Sequence, residues 1–132
     1  MTKNILITGG AGYIGSHIAE ILVKNRKKIF IVDNLSTGYR QLINKKAKFF
    51  KININNKKKL RSILINHKID SIIHLAASLI IEKGEKYPKY YYKNNVLGSK
   101  KLMSACIGTM VKNFIFSSTA AVYKDGLYKV SE

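Results

Sequence analysis

A glycine-rich run near the N-terminus is the feature of this sequence best suited to binding a phosphate. Residues 8–15 read Thr-Gly-Gly-Ala-Gly-Tyr-Ile-Gly, and their glycines fit two spacings, one starting at Gly9 and one at Gly10. Glycines so spaced permit a tight turn, leave the backbone bare for a pyrophosphate, and let a following helix pack closely on the preceding strand. The alternative on this pattern alone is a plain tight turn without a ligand.

Asp33 is the second candidate for ligand chemistry. It lies 18 residues after Gly15, at the end of an apolar segment. A carboxylate at that position accepts hydrogen bonds from the ribose hydroxyls of an adenosine and repels a 2′-phosphate. Because no Arg follows it immediately, the pattern favours NAD over NADP as cofactor. The alternative is a solvated loop aspartate.

Segments of two kinds alternate along the chain and would position these residues. Short apolar runs predict strands at residues 3–8, 28–32, 47–52, 70–75 and 111–117. Apolar residues at helical spacing predict helices at 13–24, 56–67 and 88–106, with a short helical or irregular link at 42–46. This alternation predicts a doubly wound parallel α/β sheet of the Rossmann type, in the strand order 3-2-1-4-5. We expect one domain over residues 1–132, whose sheet stops after the fifth strand.

The strongly basic composition can be explained without a binding partner. Lys and Arg number 24 against 7 acidic residues, for a net charge of +17, and 21 of the 24 are Lys. Ile, Lys and Asn together make up 51 of the 132 residues, and A/T-rich codons encode all three. Compositional drift therefore explains the charge, and we expect no nucleic-acid partner. The alternative, a polyanion-binding surface, would centre on the three lysines at 57–59.

The remaining composition indicates a cytoplasmic protein. The single Cys cannot form an internal disulfide, and no Cys/His cluster has metal-ligand spacing, so we expect a reducing compartment and no metal site. The longest apolar stretch, residues 72–81, is well short of the roughly 20 residues that a membrane span needs. The N-terminus lacks the pattern of a signal peptide.

Five motifs in chain order resemble those of the UDP-glucose 4-epimerases, within the extended short-chain dehydrogenase/reductases. They are TGGAGYIGSH at 8–17, DNLSTG at 33–38, IHLAA at 73–77, YYKNNV at 91–96 and FIFSSTAAVY at 114–123. Sugar-nucleotide dehydratases and decarboxylases of the same superfamily remain alternatives. Tyr13 and the 33–38 run favour the epimerases.

The resemblance implies a role for residues in or beside each motif. Those expected on the pyrophosphate are Gly9, Gly12, Tyr13, Ile14 and Gly15. Those expected on the adenosine half are Asp33, Asn34, Ser36, Thr37 and Gly38. Those expected on the nicotinamide side are Leu75, Ala76, Ala77 and Asn95. The cofactor-binding set is completed by Asn53, Ile54 and Ser117. Thr119 matches the family's catalytic Ser/Thr, which orients the reacting sugar hydroxyl.

Three departures from the family pattern qualify these roles. None of the eight Tyr is followed four positions later by Lys, so the Tyr-x-x-x-Lys pair that supplies the family's acid/base is absent. Where the family usually has Gly-Asp after the third strand, this chain has Ile52-Asn53, and Leu79 replaces a Lys. We therefore expect NAD to be held weakly.

The implied activity is the interconversion of UDP-glucose and UDP-galactose through a 4-keto intermediate, on a UDP-sugar and in an enzyme that can form a homodimer. Family chains are more than twice this length, so the chain is expected to be an N-terminal fragment without the sugar-nucleotide domain and inactive by itself. The alternative from another class is a non-catalytic protein that binds NAD or nucleic acid.

Overall fold

A five-stranded parallel sheet forms the centre of the molecule. The computed structural model describes residues 3–119, and the sheet has the order β3-β2-β1-β4-β5. Its strands are β1 (Asn4–Thr8), β2 (Lys28–Asp33), β3 (Lys48–Lys51), β4 (Ser71–His74) and β5 (Asn113–Phe116). All four neighbouring pairs are parallel. The predicted Rossmann-type order is confirmed.

Helices connect the strands. They are α1 (Tyr13–Lys24), α2 (Lys57–Asn66), α3 (Ile81–Lys86), α4 (Pro88–Tyr91) and α5 (Ser99–Cys106), with a single 3₁₀ turn at Arg40–Leu42. A π-helical segment, Tyr92–Gly98, lies between α4 and α5, and the backbone stays helical at both junctions. The predicted helix at 88–106 is therefore one continuous helix whose middle is wider than an α-helix.

Each face of the sheet is covered by its own apolar core. Alternate side chains of the central strands, such as Leu6 and Val32, pack against α2 and α5 on one face. Their neighbours in the chain, such as Ile7 and Ile31, pack on the other face, which α1 covers. Because successive side chains of a strand point to opposite faces, burial on both faces requires the continuous apolar runs that predicted these strands.

The structure corrects several predicted boundaries. The link expected at 42–46 is the turn at Arg40–Leu42, and the last strand is Asn113–Phe116 rather than 111–117. Helix α3 was not predicted; with two acidic residues and two lysines in its six residues it has little apolar periodicity. Residues 120–123, which end the fifth motif, lie outside the described residues. No helix within residues 3–119 is both long and apolar enough to cross a membrane.

Candidate functional site

Gly9 connects three strands at the carboxyl edge of the sheet. Its N–H donates to the Val32 carbonyl oxygen at 2.9 Å, and its φ of +74° lies in the left-handed region. A Cβ built on Gly9 would lie 2.8 Å from the carbonyl carbon of Leu75 and from the amide nitrogen of Ala76. Only glycine fits this position, both in conformation and in space.

The other glycines of the loop bring the start of α1 against Gly9. A Cβ on Gly15 would overlap the Gly9 carbonyl oxygen and lie 2.8 Å from the Gly10 Cα, so helix and loop are in direct backbone contact. A Cβ on Gly12 would meet only that same oxygen, at 3.3 Å. Gly12 therefore borders open space. A Cβ on Gly10 would lie 2.6 Å from the Ile31 Cγ2. Both candidate spacings therefore start at a glycine that the packing requires, and they share Gly12 and Gly15.

The N-terminus of α1 has the properties of an anion site. Its N-cap is Gly12, no side chain caps it, and its first turn carries no acidic residue. The first intrahelical bond shown runs from Ser16 N to Gly12 O, which leaves the amide groups of Tyr13, Ile14 and Gly15 as the donors that a helix start cannot satisfy internally. Such donors, with the positive end of the helix dipole, favour a phosphate. The donor set therefore fits the pyrophosphate of a dinucleotide.

Asp33 fastens the glycine loop to β2. It is 9% exposed, and its Oδ2 accepts from the Ala11 amide at 3.0 Å while its Oδ1 accepts from the Leu35 amide at 2.8 Å. A carboxylate has about four lone-pair sites, so each oxygen retains one for a ribose hydroxyl. Asp33 thus has a structural role that the sequence pattern did not indicate, and the ribose contact remains a prediction.

The segment after β2 packs on the glycine loop. A Cβ on Gly38 would lie 2.9 Å from the Ala11 Cβ, and the Tyr39 amide donates to the Ala11 carbonyl oxygen at 3.0 Å. The Asn34 side chain closes the turn by accepting from the Ser36 amide at 2.9 Å. Gly38 thus packs on the glycine loop, and the Asn34 Oδ1 already accepts a hydrogen bond from within the chain. Among the predicted adenosine-side residues, Ser36 and Thr37 have exposed side chains.

Asn53 and Ile54, which follow β3 after Ile52, differ in what they expose. Asn53 is exposed, and its Oδ1 accepts from the Asn55 amide at 2.8 Å. Ile54 is buried, and a Cβ on Gly98 would lie 2.7 Å from its Cδ1, so its side chain belongs to the core. Of this predicted pair, Asn53 alone offers a side chain to a ligand.

The segment Leu75–Ser78 follows β4 and lies beside Gly9. The Leu75 amide donates to the Thr8 carbonyl oxygen at 3.0 Å, which continues the sheet pairing for one residue. The Asn95 side chain accepts from the Ser78 amide at 2.8 Å and donates to the Ser78 carbonyl oxygen at 2.9 Å. Asn95 therefore holds this segment in place. Of the two predicted alanines, Ala76 packs partly against the core and Ala77 is exposed.

The sequence did not predict two contacts near this segment, that of Asn94 with Ser78 and that of His74 with Ser99. Asn94 donates from Nδ2 to the Ser78 Oγ at 3.1 Å, so two consecutive side chains of the π-helical segment reach one residue. The doubled Asn was the available signal, but apolar periodicity does not reveal a π turn. The His74 Nε2 lies 2.8 Å from the Ser99 Oγ, and the two residues come from segments 25 residues apart in the chain.

The predicted residues after β5 lie at the same carboxyl edge. The Ser117 amide donates to the His74 carbonyl oxygen at 3.3 Å, so the chain continues alongside β4. Ser117 and Thr119 are both exposed. The parallel sheet thus gathers the glycine loop, Asp33, the Leu75–Ser78 segment and the residues after β5 at one edge, where ligands of doubly wound folds bind.

Comparisons with known proteins agree with this arrangement. The sequence pattern of the "NAD dependent epimerase/dehydratase family" matches residues 5–131. The bifunctional protein GAL10 of Candida maltosa is 40% identical over 128 residues, which are 91% of this chain and 84% of that protein. The UDP-glucose 4-epimerase of Lactobacillus helveticus is 41% identical over 119 residues, 90% of this chain but 36% of that protein.

Solved structures give the same result. The UDP-glucose 4-epimerase of Thermotoga maritima with UDP-glucose aligns with a TM-score of 0.88 at 37% identity, over 96% of this chain and 41% of that one. The Thermus thermophilus UDP-glucose 4-epimerase complex with NAD aligns with a TM-score of 0.90 at 30% identity, over 98% of this chain and 42% of that one. This chain spans about two fifths of these structures.

These matches confirm the predicted resemblance, and they confirm NAD as the cofactor at the level of the family. With its glycine loop, Asp33 and strand order all in agreement, the chain belongs to the NAD-dependent epimerase/dehydratase family.

Proposed function

We propose that this chain is the NAD-binding part of a UDP-sugar 4-epimerase that interconverts UDP-glucose and UDP-galactose. The assignment of NAD rests on the uncapped N-terminus of α1, which begins after Gly12, beside open space. Asp33 lies next to it, bonded to the Ala11 amide. The sugar nucleotide is supported by identities of 39–41% with several UDP-glucose 4-epimerases, and by the UDP-glucose in the Thermotoga maritima structure. NAD, when bound, supplies an acceptor and donor of hydride at the sugar C4.

The chain's own residues hold the cofactor in three places. The amides of Tyr13, Ile14 and Gly15 bind the pyrophosphate, and the carboxylate of Asp33 accepts from the adenosine ribose. Leu75, Ala76 and Ala77 would line the nicotinamide side, with Asn95 close by. The Thr119 hydroxyl orients the sugar hydroxyl that is oxidised.

Thr119 cannot also take the proton from that hydroxyl, because an aliphatic hydroxyl is too weak a base near neutral pH. General acid–base catalysis contributes about 10²–10⁴-fold, and none of the 132 residues is a Tyr with Lys four positions later. We expect no turnover from the purified 132-residue chain in a coupled assay of UDP-glucose formation from UDP-galactose. A turnover near 1 s⁻¹, in the usual enzyme range, would show that another residue of this chain is the base.

Calorimetry with NAD and NADP tests the cofactor assignment. The unmodified chain should bind NAD more tightly than NADP, because Asp33 repels a 2′-phosphate. Asp33→Asn should weaken NAD binding about tenfold, as expected for losing a charged hydrogen bond, and should narrow the preference over NADP.

Asp70→Asn is the matched control. Asp70 also accepts from a backbone amide, that of Asn4 at 2.7 Å, but just before β4 at the opposite edge of the sheet. NAD binding should survive this change. Tighter binding of NADP by the unmodified chain, or equal losses in both variants, would refute the role given to Asp33.

A further inference from the structure

A chain of buried hydrogen bonds crosses the sheet beneath the candidate site. Thr8, His74 and Ser99 are 0%, 2% and 7% exposed. The Thr8 Oγ1 lies 2.6 Å from the His74 Nδ1, and the His74 Nε2 lies 2.8 Å from the Ser99 Oγ. The Ser99 hydroxyl in turn donates to the backbone carbonyl oxygen of Asn95 at 2.6 Å. Three residues from β1, β4 and α5 are thus joined in one series.

The series has one consistent direction. The single proton of Ser99 goes to Asn95, so Ser99 can only accept from His74, which must then carry its proton on Nε2. The other ring nitrogen, Nδ1, is left as an acceptor for the Thr8 hydroxyl. Thr8 also accepts from the Ala76 amide at a longer 3.4 Å. Each hydroxyl and ring N–H then donates once.

Both ends of the series terminate on the Leu75–Ser78 segment. At one end, Thr8 contacts the Ala76 amide. At the other end, Asn95 bonds both the amide and the carbonyl oxygen of Ser78 through its side chain. The buried series therefore links the two places at which this segment is attached to the fold.

We propose that His74 is a positioning residue, whose neutral Nε2–H tautomer connects Thr8 to Ser99 and Asn95 and so holds the Leu75–Ser78 segment against the nicotinamide half of NAD. The cofactor part of this proposal rests on the proposed function; the tautomer and the anchoring of Ser78 do not.

The surroundings of His74 keep its ring neutral. Besides Thr8 and Ser99, the rings of Phe114 and Phe116 on β5 lie near it, with centroids 6.0 Å and 5.7 Å away. None of these neighbours carries a charge. Burial lowers the pKa of His74 to about 4, so at pH 7 the ring has one proton to place and the hydrogen bonds decide where.

Long-range ¹⁵N–¹H NMR of the unmodified 132-residue chain reads the tautomer directly. We expect the His74 signals of a protonated Nε2 and an unprotonated Nδ1 at pH 7. A proton on Nδ1, or rapid averaging between the two nitrogens, would overturn the proposal. This measurement needs neither a variant nor a ligand.

Ser99→Ala tests the coupling. Without the Ser99 hydroxyl, the backbone carbonyl oxygen of Asn95 loses one hydrogen bond. We then expect the Ser78 amide to exchange with solvent about fivefold to tenfold faster, as for the loss of one hydrogen bond. The Gly9 amide, bonded to Val32 on the far side of β1, should be unaffected. Equal acceleration of both amides would indicate a merely structural role and refute the proposal.

Ligand binding to the same variant tests the cofactor part. Ser99→Ala should weaken NAD binding about fivefold but leave the binding of ADP-ribose, which lacks the nicotinamide, unchanged. The matched control is Ser71→Ala, since Ser71 is equally buried on β4 but bonds Asp70 instead.

Each outcome has one meaning. Parallel losses for NAD and ADP-ribose would refute positioning at the nicotinamide. If the unmodified chain binds neither ligand, the proposed function and the cofactor part of this inference are both wrong, and the exchange of Ser78 still decides whether the series anchors that segment.

Discussion

At the carboxyl end of β1, the contacts are between backbone atoms. The Gly9 amide donates to the Val32 carbonyl oxygen, and the Gly9 Cα packs against the backbone of Leu75 and Ala76. Gly15 packs against the Gly9 carbonyl oxygen. At the carboxyl end of β4, side chains bond to backbone groups. The Asn95 side chain bonds both the amide and the carbonyl oxygen of Ser78. The hydrogen bonds of Thr8, His74 and Ser99 end on the Asn95 backbone carbonyl oxygen. The first region, which we call the glycine region, cannot shift without collision. The second, the asparagine region, can shift by losing hydrogen bonds one at a time.

This difference predicts different responses to substitution. Overpacking a backbone contact leaves no room for adjustment and typically costs 1–3 kcal/mol or somewhat more. Removing one hydrogen bond from a network has a smaller net effect, about 1 kcal/mol, unless a buried partner is left unsatisfied. We therefore expect all-or-none effects in the glycine region and graded effects in the asparagine region.

The largest effect is expected from Gly15→Ala. Its Cβ would overlap the Gly9 carbonyl oxygen, so the start of α1 must move away from the loop. We expect about 3 kcal/mol lower stability in urea unfolding and NAD binding weakened by more than about 100-fold, since the amides at the start of α1 lose their positions.

Two variants sharpen this result. Gly12→Ala places a Cβ 3.3 Å from the same oxygen, so it should fold nearly normally yet block the pyrophosphate. Gly84→Ala, where a Cβ would meet only the Tyr91 ring, should change neither property. Normal NAD binding by Gly15→Ala would show that the glycine region is as adaptable as the asparagine region.

The two regions also differ in how far the sequence predicts them. The spacing of the glycines predicts a crowded loop that starts at Gly9 or Gly10 and ends at Gly15, because a close backbone approach demands glycine. The position of Asp33 after an apolar segment predicts a ribose contact. The strand order followed from the alternation of segments and from right-handed crossovers. Backbone constraints restrict residue type, and that restriction is visible in a sequence.

Side-chain networks leave a weaker trace. Nothing in the apolar pattern indicates the π turn that brings Asn94 and Asn95 to Ser78, since many helix residues are polar for other reasons. His74 is 2% exposed. Its bonds to Thr8 and Ser99 depend on which strands and helices are neighbours, so they become visible only in the folded chain.

A smaller effect is expected from the titration of His74 in the asparagine region. Burial lowers its pKa from 6.5 in a solvated histidine to about 4, so the unfolded chain binds more protons than the folded chain between these values. Stability contributed by the neutral ring is complete above pH 6.5 and is lost as the pH falls toward 4. The loss amounts to roughly 2–3 kcal/mol at the acid end.

His74→Gln isolates this contribution, because glutamine does not titrate. Urea unfolding between pH 7 and pH 4 should show the stability of the unmodified chain falling more steeply than that of the variant, by roughly 2–3 kcal/mol over the range. His67→Gln should flatten the profile in the same direction but less, since the pKa of His67 is also lowered, by partial burial and the charge of Lys48. Parallel profiles for His74→Gln and the unmodified chain would mean that His74 accepts a proton without disturbing Thr8 or Ser99. The asparagine region would then not depend on a neutral ring, and its difference from the glycine region would rest on Asn94 and Asn95 alone.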